Sequence, residues 1–308
     1  MWRYVLTRLL QGVAVVFLVA TVTFVILHLT PGNPVDILVG EAEVSRAQVA
    51  AIEHLWGFDR PLYVQYVTWL GNMARGNFGE SVIRTGVPVG TMLAQAAPVT
   101  LTLNVAAFLT SIAIAVPVGI LAGVRRYSVF DYVGTVGATL GVALPSFWIS
   151  LMAIILFAVQ LRWLPPFGLS SWTGYVLPVA VLATEQTAVI ARLMRGSVAA
   201  VLHQDYVRTG RAKGLAEPAV VLRHAVRNAL LPVITVLGYR MAFLLSGTII
   251  VETVFALPGI GRLLTDSVYH LDYQVVQVIA LLLAVIVVAA NIATDLVYAL
   301  VDPRIRIG

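Results

Sequence analysis

Three ionisable residues stand inside long apolar runs of this sequence: Glu185, Arg240 and Asp295. Charges at such depth are costly in hydrocarbon and are found chiefly as buried pairs, as proton relays or along a solute pathway. A second group is denser, with Arg208, Thr209, Gly210, Arg211, Lys213, Gly214, Leu215 and Glu217 close together and Leu222, Arg223 and Arg227 shortly after. Two glycines among basic side chains, then an acid and Pro218 where a helix would restart, describe a shaped docking surface. Catalytic chemistry finds no support. There is no G-x-S-x-G, H-E-x-x-H or G-x-G-D, and His28, His54, His203, His224 and His270 never fall at ligand spacing. Cysteine is absent, which removes thiol chemistry and Cys-ligated metal. The sole lysine, Lys213, follows Ala212 where a phosphate-binding loop needs glycine, so the chain has no ATP site of that kind.

The elements that hold these residues are membrane helices. Of 308 residues, 59% are hydrophobic and only 11% charged, against about 25% charged in soluble domains, so a bilayer must replace the missing polar surface. Uncharged or nearly uncharged runs predict six spans, at 9–29, 98–122, 132–160, 175–194, 232–251 and 275–300. The first is too long for a signal-peptide core and lacks an A-x-A site, so it reads as a retained helix. Pro145 makes the third a kinked or tilted, over-long helix. Glu185 falls in the fourth span, Arg240 in the fifth and Asp295 in the sixth. Counted from one side of the membrane, Glu185 and Arg240 lie at matching depth, roughly 12 to 14 Å in, where an ion pair or a pathway lining would suit them. Asp295 shares a helix face with Asn291, which suggests hydrogen bonding within the bundle, and Asn104 and Ser146 are further pathway candidates.

The basic residues orient the spans. With both termini in the cytoplasm, inner segments hold 13 of the 20 Lys and Arg residues but only Asp131, Asp205, Glu217 and Asp302 among the acids, as the positive-inside rule requires. That explains the net charge of +5 without nucleic acid. Two polar stretches remain, dividing the chain into 1–97, the first helix with an external helical segment, and 98–308, a five-helix core with the cytoplasmic loop 195–231. In the external segment Ser45 and Gln48 form a capping box, Gly57 can end that helix, and another opens at Asp59 and Pro61. In the inner loop, Gly210 and Gly214 interrupt the helix leaving span four. A short amphipathic helix then follows, with Leu222, Ala225, Val226 and Ala229 as its apolar stripe and Pro232 opening span five. By itself such a helix could rest on lipid headgroups or seat in a cytoplasmic partner.

The stretch Asp205-Tyr-Val-Arg-Thr-Gly-Arg-Ala-Lys-Gly-Leu-Ala-Glu217, continued by Leu222-Arg-His-Ala-Val-Arg-Asn-Ala-Leu-Leu-Pro232, resembles the EAA loop of ABC importer permeases, most nearly the dipeptide and oligopeptide branch and its first permease component. Thr30-Pro-Gly-Asn-Pro34, Asp59 to Tyr66, Gly76 to Ser81, Leu144-Pro-Ser-Phe-Trp148, Val251 to Gly261 and the tail through Asn291, Asp295, Tyr298 and Asp302-Pro-Arg304 look like the same branch, so the likeness spans the chain. Arg208, Thr209 and Gly210 replace the Glu-Ala-Ala triplet, while Gly214 keeps the turn. The resemblance implies an all-α polytopic membrane protein with six transmembrane helices, the type I ABC importer permease fold and both termini cytoplasmic, in the bacterial plasma (inner) membrane. It also implies a second homologous permease, two cytoplasmic ATPases that hold the ATP and Mg, and an external solute-binding protein delivering di- or oligopeptides. No cofactor or metal is expected on this chain. A proton-coupled secondary transporter is the alternative that Glu185, Arg240 and Asp295 would suit, although no internal repeat supports it.

Overall fold

The computed structural model describes residues 2–29, 49–51, 54, 56–242 and 248–301. Among them the elements are helical: α1 (Trp2–Leu29), α2 (Leu62–Ala74), α3 (Val89–Val124), α4 (Val129–Ala143), α5 (Ser146–Ala153), α6 (Val176–Val201), α7 (Asp205–Ala212), α8 (Glu217–Ala219), α9 (Arg227–Ala242), α10 (Thr248–Val254), α11 (Ile260–Tyr269) and α12 (Tyr273–Val301). Two π-helical segments, Ile154–Gln160 and Val220–Val226, continue α5 and join α8 to α9. Thr30–Pro34, the Ser45–Gln48 capping box and Asp302–Arg304 lie outside the described residues. Gly57 has φ +73, in the left-handed region that favours glycine.

Among the described residues five helical stretches are long and apolar enough to cross a bilayer, Leu6–Leu29, Val89–Val124, Trp172–Val201, Glu217–Gly238 and Tyr273–Ile292. The sixth expected span is α4 with α5 and its π-helical extension, bent by 107°. This is a break, larger than the kink the sequence suggested. Leu144 is extended (φ −84, ψ 129) and Pro145 follows at φ −62, ψ 140. A proline has no N–H to continue the ladder and bars the residue before it from the helical region, so the chain must turn there. The fifth span departs from expectation in another way. Pro232 lies inside α9, whose helix is continuous back to Glu217, so the loop helix and the membrane helix are one rod.

The described residues divide into two compact units, those within 2–99 with 258–295, and those within 100–257 with 296–301. In the first, Phe24 of α1, Trp69 and Met73 of α2, Leu93 and Ala96 of α3, Ile260 of α11 and Ile279 of α12 form a buried core. The segment 77–89 is pinned beside it: Ser81 and the Val82 N–H (3.1 Å) both donate to the buried Asp272 carboxylate, and Gln274 donates to the Phe78 carbonyl at 2.8 Å. In the second unit the core joins Ala115 of α3, Ile190, Met194 and Val198 of α6, Val221 and Val226 of the π segment, and Ala229 and Val233 of α9. Helices α3 and α6 approach closely because Ala115, Gly119 and Gly123 recur every fourth residue. A Cβ on Gly119 would stand 2.6 Å from Met194 Cβ and 2.8 Å from the Ala191 carbonyl. Gly123 meets Val198 and the Arg195 carbonyl at 2.8 and 2.9 Å in the same way.

Candidate functional site

The 195–231 segment is built from two helices folded back on each other. Gln204, in extended conformation, begins α7, with Asp205 in its first turn and Arg211 in its last, each suited to the helix dipole. The helix ends in a double hydrogen-bonded cap, Leu215 N–H to the Gly210 carbonyl (3.4 Å) and Gly214 N–H to the Arg211 carbonyl (2.9 Å). Such a cap needs a left-handed residue, and Gly214 supplies it at φ +77. Ala216 is extended, and Glu217 and Pro218 open the returning helix.

Only one of the two glycines breaks the helix. Gly210 is a buried interior residue of α7, and a Cβ there would find its nearest neighbours, His224, Leu215 and Val220, at 3.9 Å. With Val207, which is fully buried, it forms the face by which α7 packs on the π segment.

Polar contacts hold the hairpin at both ends. Arg211 Nε and Nη2 donate to Glu217 Oε2 and Oε1 at 3.0 and 2.6 Å, a two-pronged ion pair across the Gly214 turn. That hydrogen bond raises the Arg211 pKa beyond its ordinary value. At the other end Asn228 donates to the Tyr206 hydroxyl at 2.9 Å. Arg208 faces Asp205 of its own helix at 3.9 Å with its side chain 73% exposed, and so contributes nothing to the clamp.

The apolar stripe differs from the one read at 3.6 residues per turn. Val220, Val221, Ala225 and Val226 are buried, whereas Leu222 is 63% exposed. The cause is the π-helical stretch, which aligns residues five apart and so places 220 over 225 and 221 over 226. Leu222, Leu215 and Tyr206 are therefore all exposed on the hairpin, as are Arg208, Arg223 and Arg227. The result is a capped, ion-paired tip with apolar and cationic side chains outside, continuous with a helix that runs to Ala242.

Of the three intramembrane candidates only Glu185 has a described side chain. Glu185 stands on an exposed face of α6, and the side chains of Arg240 and Asp295 lie outside the described residues. Asn104 is buried and donates to the Thr100 carbonyl at 2.8 Å within α3. Ser146 opens α5, and its carbonyl accepts from Ser150.

Two polar pairs escaped the sequence reading. Glu252, one residue beyond the expected fifth span, is fully buried on α10 and accepts from Thr100 at 2.7 Å. Asp131 is buried at the start of α4, where Arg195 of α6 grips it with two nitrogens, Nη2 at 2.8 Å from Oδ2. Ser128 caps the same helix by accepting from the Asp131 N–H at 3.3 Å. That Ser-x-x-Asp spacing was the one local signal available for Asp131.

The fold resembles that of a chain of an ABC transporter. A crystal structure described as an amino acid ABC transporter with histidines aligns at TM-score 0.55 and 16% identity, over 67% of this chain and 92% of that one, a likeness in fold. In sequence, residues 115–307 match the family described as binding-protein-dependent transport system inner membrane component, and residues 1–114 match the N-terminal model of the same systems. The chain belongs to this family and is a multi-pass membrane permease component. Similar proteins include the oligopeptide transport system permease protein AppB of Bacillus subtilis, 37% identical over 99% of this chain and all of that protein. The glutathione transport system permease protein GsiC of Salmonella choleraesuis is 38% identical over 99% of each.

Proposed function

We propose that the chain is one permease half of an ATP-driven importer of peptides, with both termini in the cytoplasm and the 205–230 hairpin as the seat of a cytoplasmic ATPase. Its pairing with a second homologous permease, two ATPases and an external peptide-binding protein follows the family and the names of its relatives. The distribution of basic residues supports the orientation. One observation carries the coupling role: the capped, ion-paired tip is continuous with a helix that runs from Glu217 to Ala242. A force applied to Leu215, Leu222 and the surrounding arginines is passed along one rod instead of being absorbed in a hinge. ATP and Mg sit on the partner, and its closure on nucleotide drives alternating access in this chain. Glu185, with Arg240 and Asp295, lines or braces the pathway.

Reconstitution tests the reading. Vesicles containing the two permeases and the ATPases, supplied with binding protein and labelled peptide, should accumulate peptide only with internal ATP. Accumulation driven by a proton gradient without ATP, or purification of the chain alone from a strain expressing all subunits, would refute it.

A further inference from the structure

We propose that the turn between α3 and α4, with the groove below it, is a binding site for an anionic phospholipid. The turn is only four residues long, Arg125 to Ser128, between two apolar helices. So short a link cannot rise clear of the headgroup layer. It is also fixed in shape: Ser128 Oγ donates to the Arg125 carbonyl at 2.6 Å, and the Tyr127 N–H donates to Asp131 Oδ2 at 2.9 Å.

No described carboxylate closes on its two cations, although Asp131 and Arg126 attract each other from beyond ion-pair distance. Arg125 lies over the Phe130 ring at 5.7 Å and Arg126 over the Tyr127 ring at 5.8 Å, geometry within reach of a cation–π contact. Neither guanidinium has a carboxylate partner among the described residues. The acid beside them, Asp131, is buried and already held by Arg195. Tyr127 and Phe130 are 76% and 61% exposed, so two cations stand on an aromatic platform at the depth where aromatic side chains anchor in a bilayer.

An apolar lane leads away from this cluster. Val129, Val133, Val136 and Leu140 are all exposed and recur at helical spacing on one face of α4. From Val129 to Leu140 the lane is about 16 Å long, close to the roughly 15 Å of one leaflet's hydrocarbon. Beside it a groove of about 420 Å³ is walled by Ile114 and Val118 of α3, Gly134 and Gly137 of α4, and Ala180 and Thr184 of α6. A Cβ on Gly137 would meet nothing within 4 Å. Cations over an apolar lane one leaflet long, with an open groove alongside, match a phospholipid of negative headgroup and fit neither a soluble anion nor a protein loop. Binding does not depend on which leaflet the turn faces; the orientation proposed above makes it the cytoplasmic one.

Native mass spectrometry of the purified transporter, titrated with phosphatidylglycerol and phosphatidylcholine, tests this. The parent should prefer phosphatidylglycerol. R125Q/R126Q should lose about fivefold in affinity for it per arginine removed, R125K/R126K should stay near the parent, and G137L, which fills the groove, should weaken both lipids. Unchanged phosphatidylglycerol preference in R125Q/R126Q overturns the proposal. So does loss of the ATPases from that variant with lipid binding intact, since the surface would then belong to a protein partner. If R125Q/R126Q cannot be purified, G137L decides alone: lipid binding equal to the parent's refutes the site.

Discussion

Arg195 on α6 closes on Asp131 at the start of α4, with the carboxylate buried and the arginine side chain 28% exposed. The pair joins helices 64 residues apart in sequence. Breaking a buried ion pair by removing one partner leaves the other charge stranded and costs about 3 to 5 kcal/mol. Asp131→Ala and Arg195→Ala should each lower the melting temperature of the detergent-purified protein by several degrees, and the double variant should lose less than their sum. Single variants melting within a degree of the parent would show that the pair does not hold α4 to α6.

The two loop glycines should separate cleanly. Gly214→Ala forces a side chain into the left-handed region and costs about 1 to 2 kcal/mol at the cap, loosening the tip that we assign to the ATPase. Gly210→Ala meets nothing closer than 3.9 Å and sits in a helix, where alanine is favoured over glycine by about 0.5 to 1 kcal/mol. Retention of ATPase subunits on purification should fall for Gly214→Ala and hold for Gly210→Ala. Equal loss from both would mean that Gly210 is needed for close approach of a partner and not merely tolerated inside α7.

Much of this architecture was legible because the signals are one-dimensional. Apolar run length located a helix for each of the six spans, and the Gly214 and Glu217-Pro218 punctuation marked the turn and the restart. What failed depended on phase or partnership. The 3.6-residue period put Leu222 on the buried stripe, and one π-helical stretch moved it to the surface. Pro232 read as a helix start, because a proline is usually tolerated only in a first turn, yet the helix runs through it. Glu252 read as a loop acid because nothing in its neighbourhood reveals Thr100, 152 residues away. Sequence spacing assumes one helical period and sees no distant partner; Leu222 was decided by a local change of period and Glu252 by a contact across helices.

The contact between α3 and α6 offers a test of packing with an internal control. Gly119→Val would drive its Cβ to 2.6 Å from Met194 and, more seriously, to 2.8 Å from the Ala191 carbonyl, which as backbone cannot rotate away. Separating the two helices forfeits dispersion along their whole contact. Gly137→Val, with open space around the new atoms, has no such cost. The yield of monodisperse protein in size-exclusion chromatography should collapse for the first and persist for the second. Survival of Gly119→Val at parental yield would mean that α3 and α6 are further apart than described.

The π-helical register gives the sharpest contrast, because adjacent residues should respond in opposite ways. Val221 is 7% exposed and Leu222 63% exposed. Leu222→Asp should leave the melting temperature within about a degree of the parent, since its side chain lies outside the core and surface changes are usually worth no more than about 0.5 kcal/mol. It should nevertheless reduce ATPase retention, because it puts a negative charge in the apolar centre of the proposed seat. Val221→Asp buries a carboxylate against Met194 and Val226 without a partner, a change that lowers stability by several kcal/mol and should abolish the purified fold. An ordinary α-helix with Leu222 on the inner stripe predicts a large loss of stability from the leucine substitution. Melting curves of the two variants, measured beside an ATPase pull-down, therefore decide both the register of the rod and the face it presents.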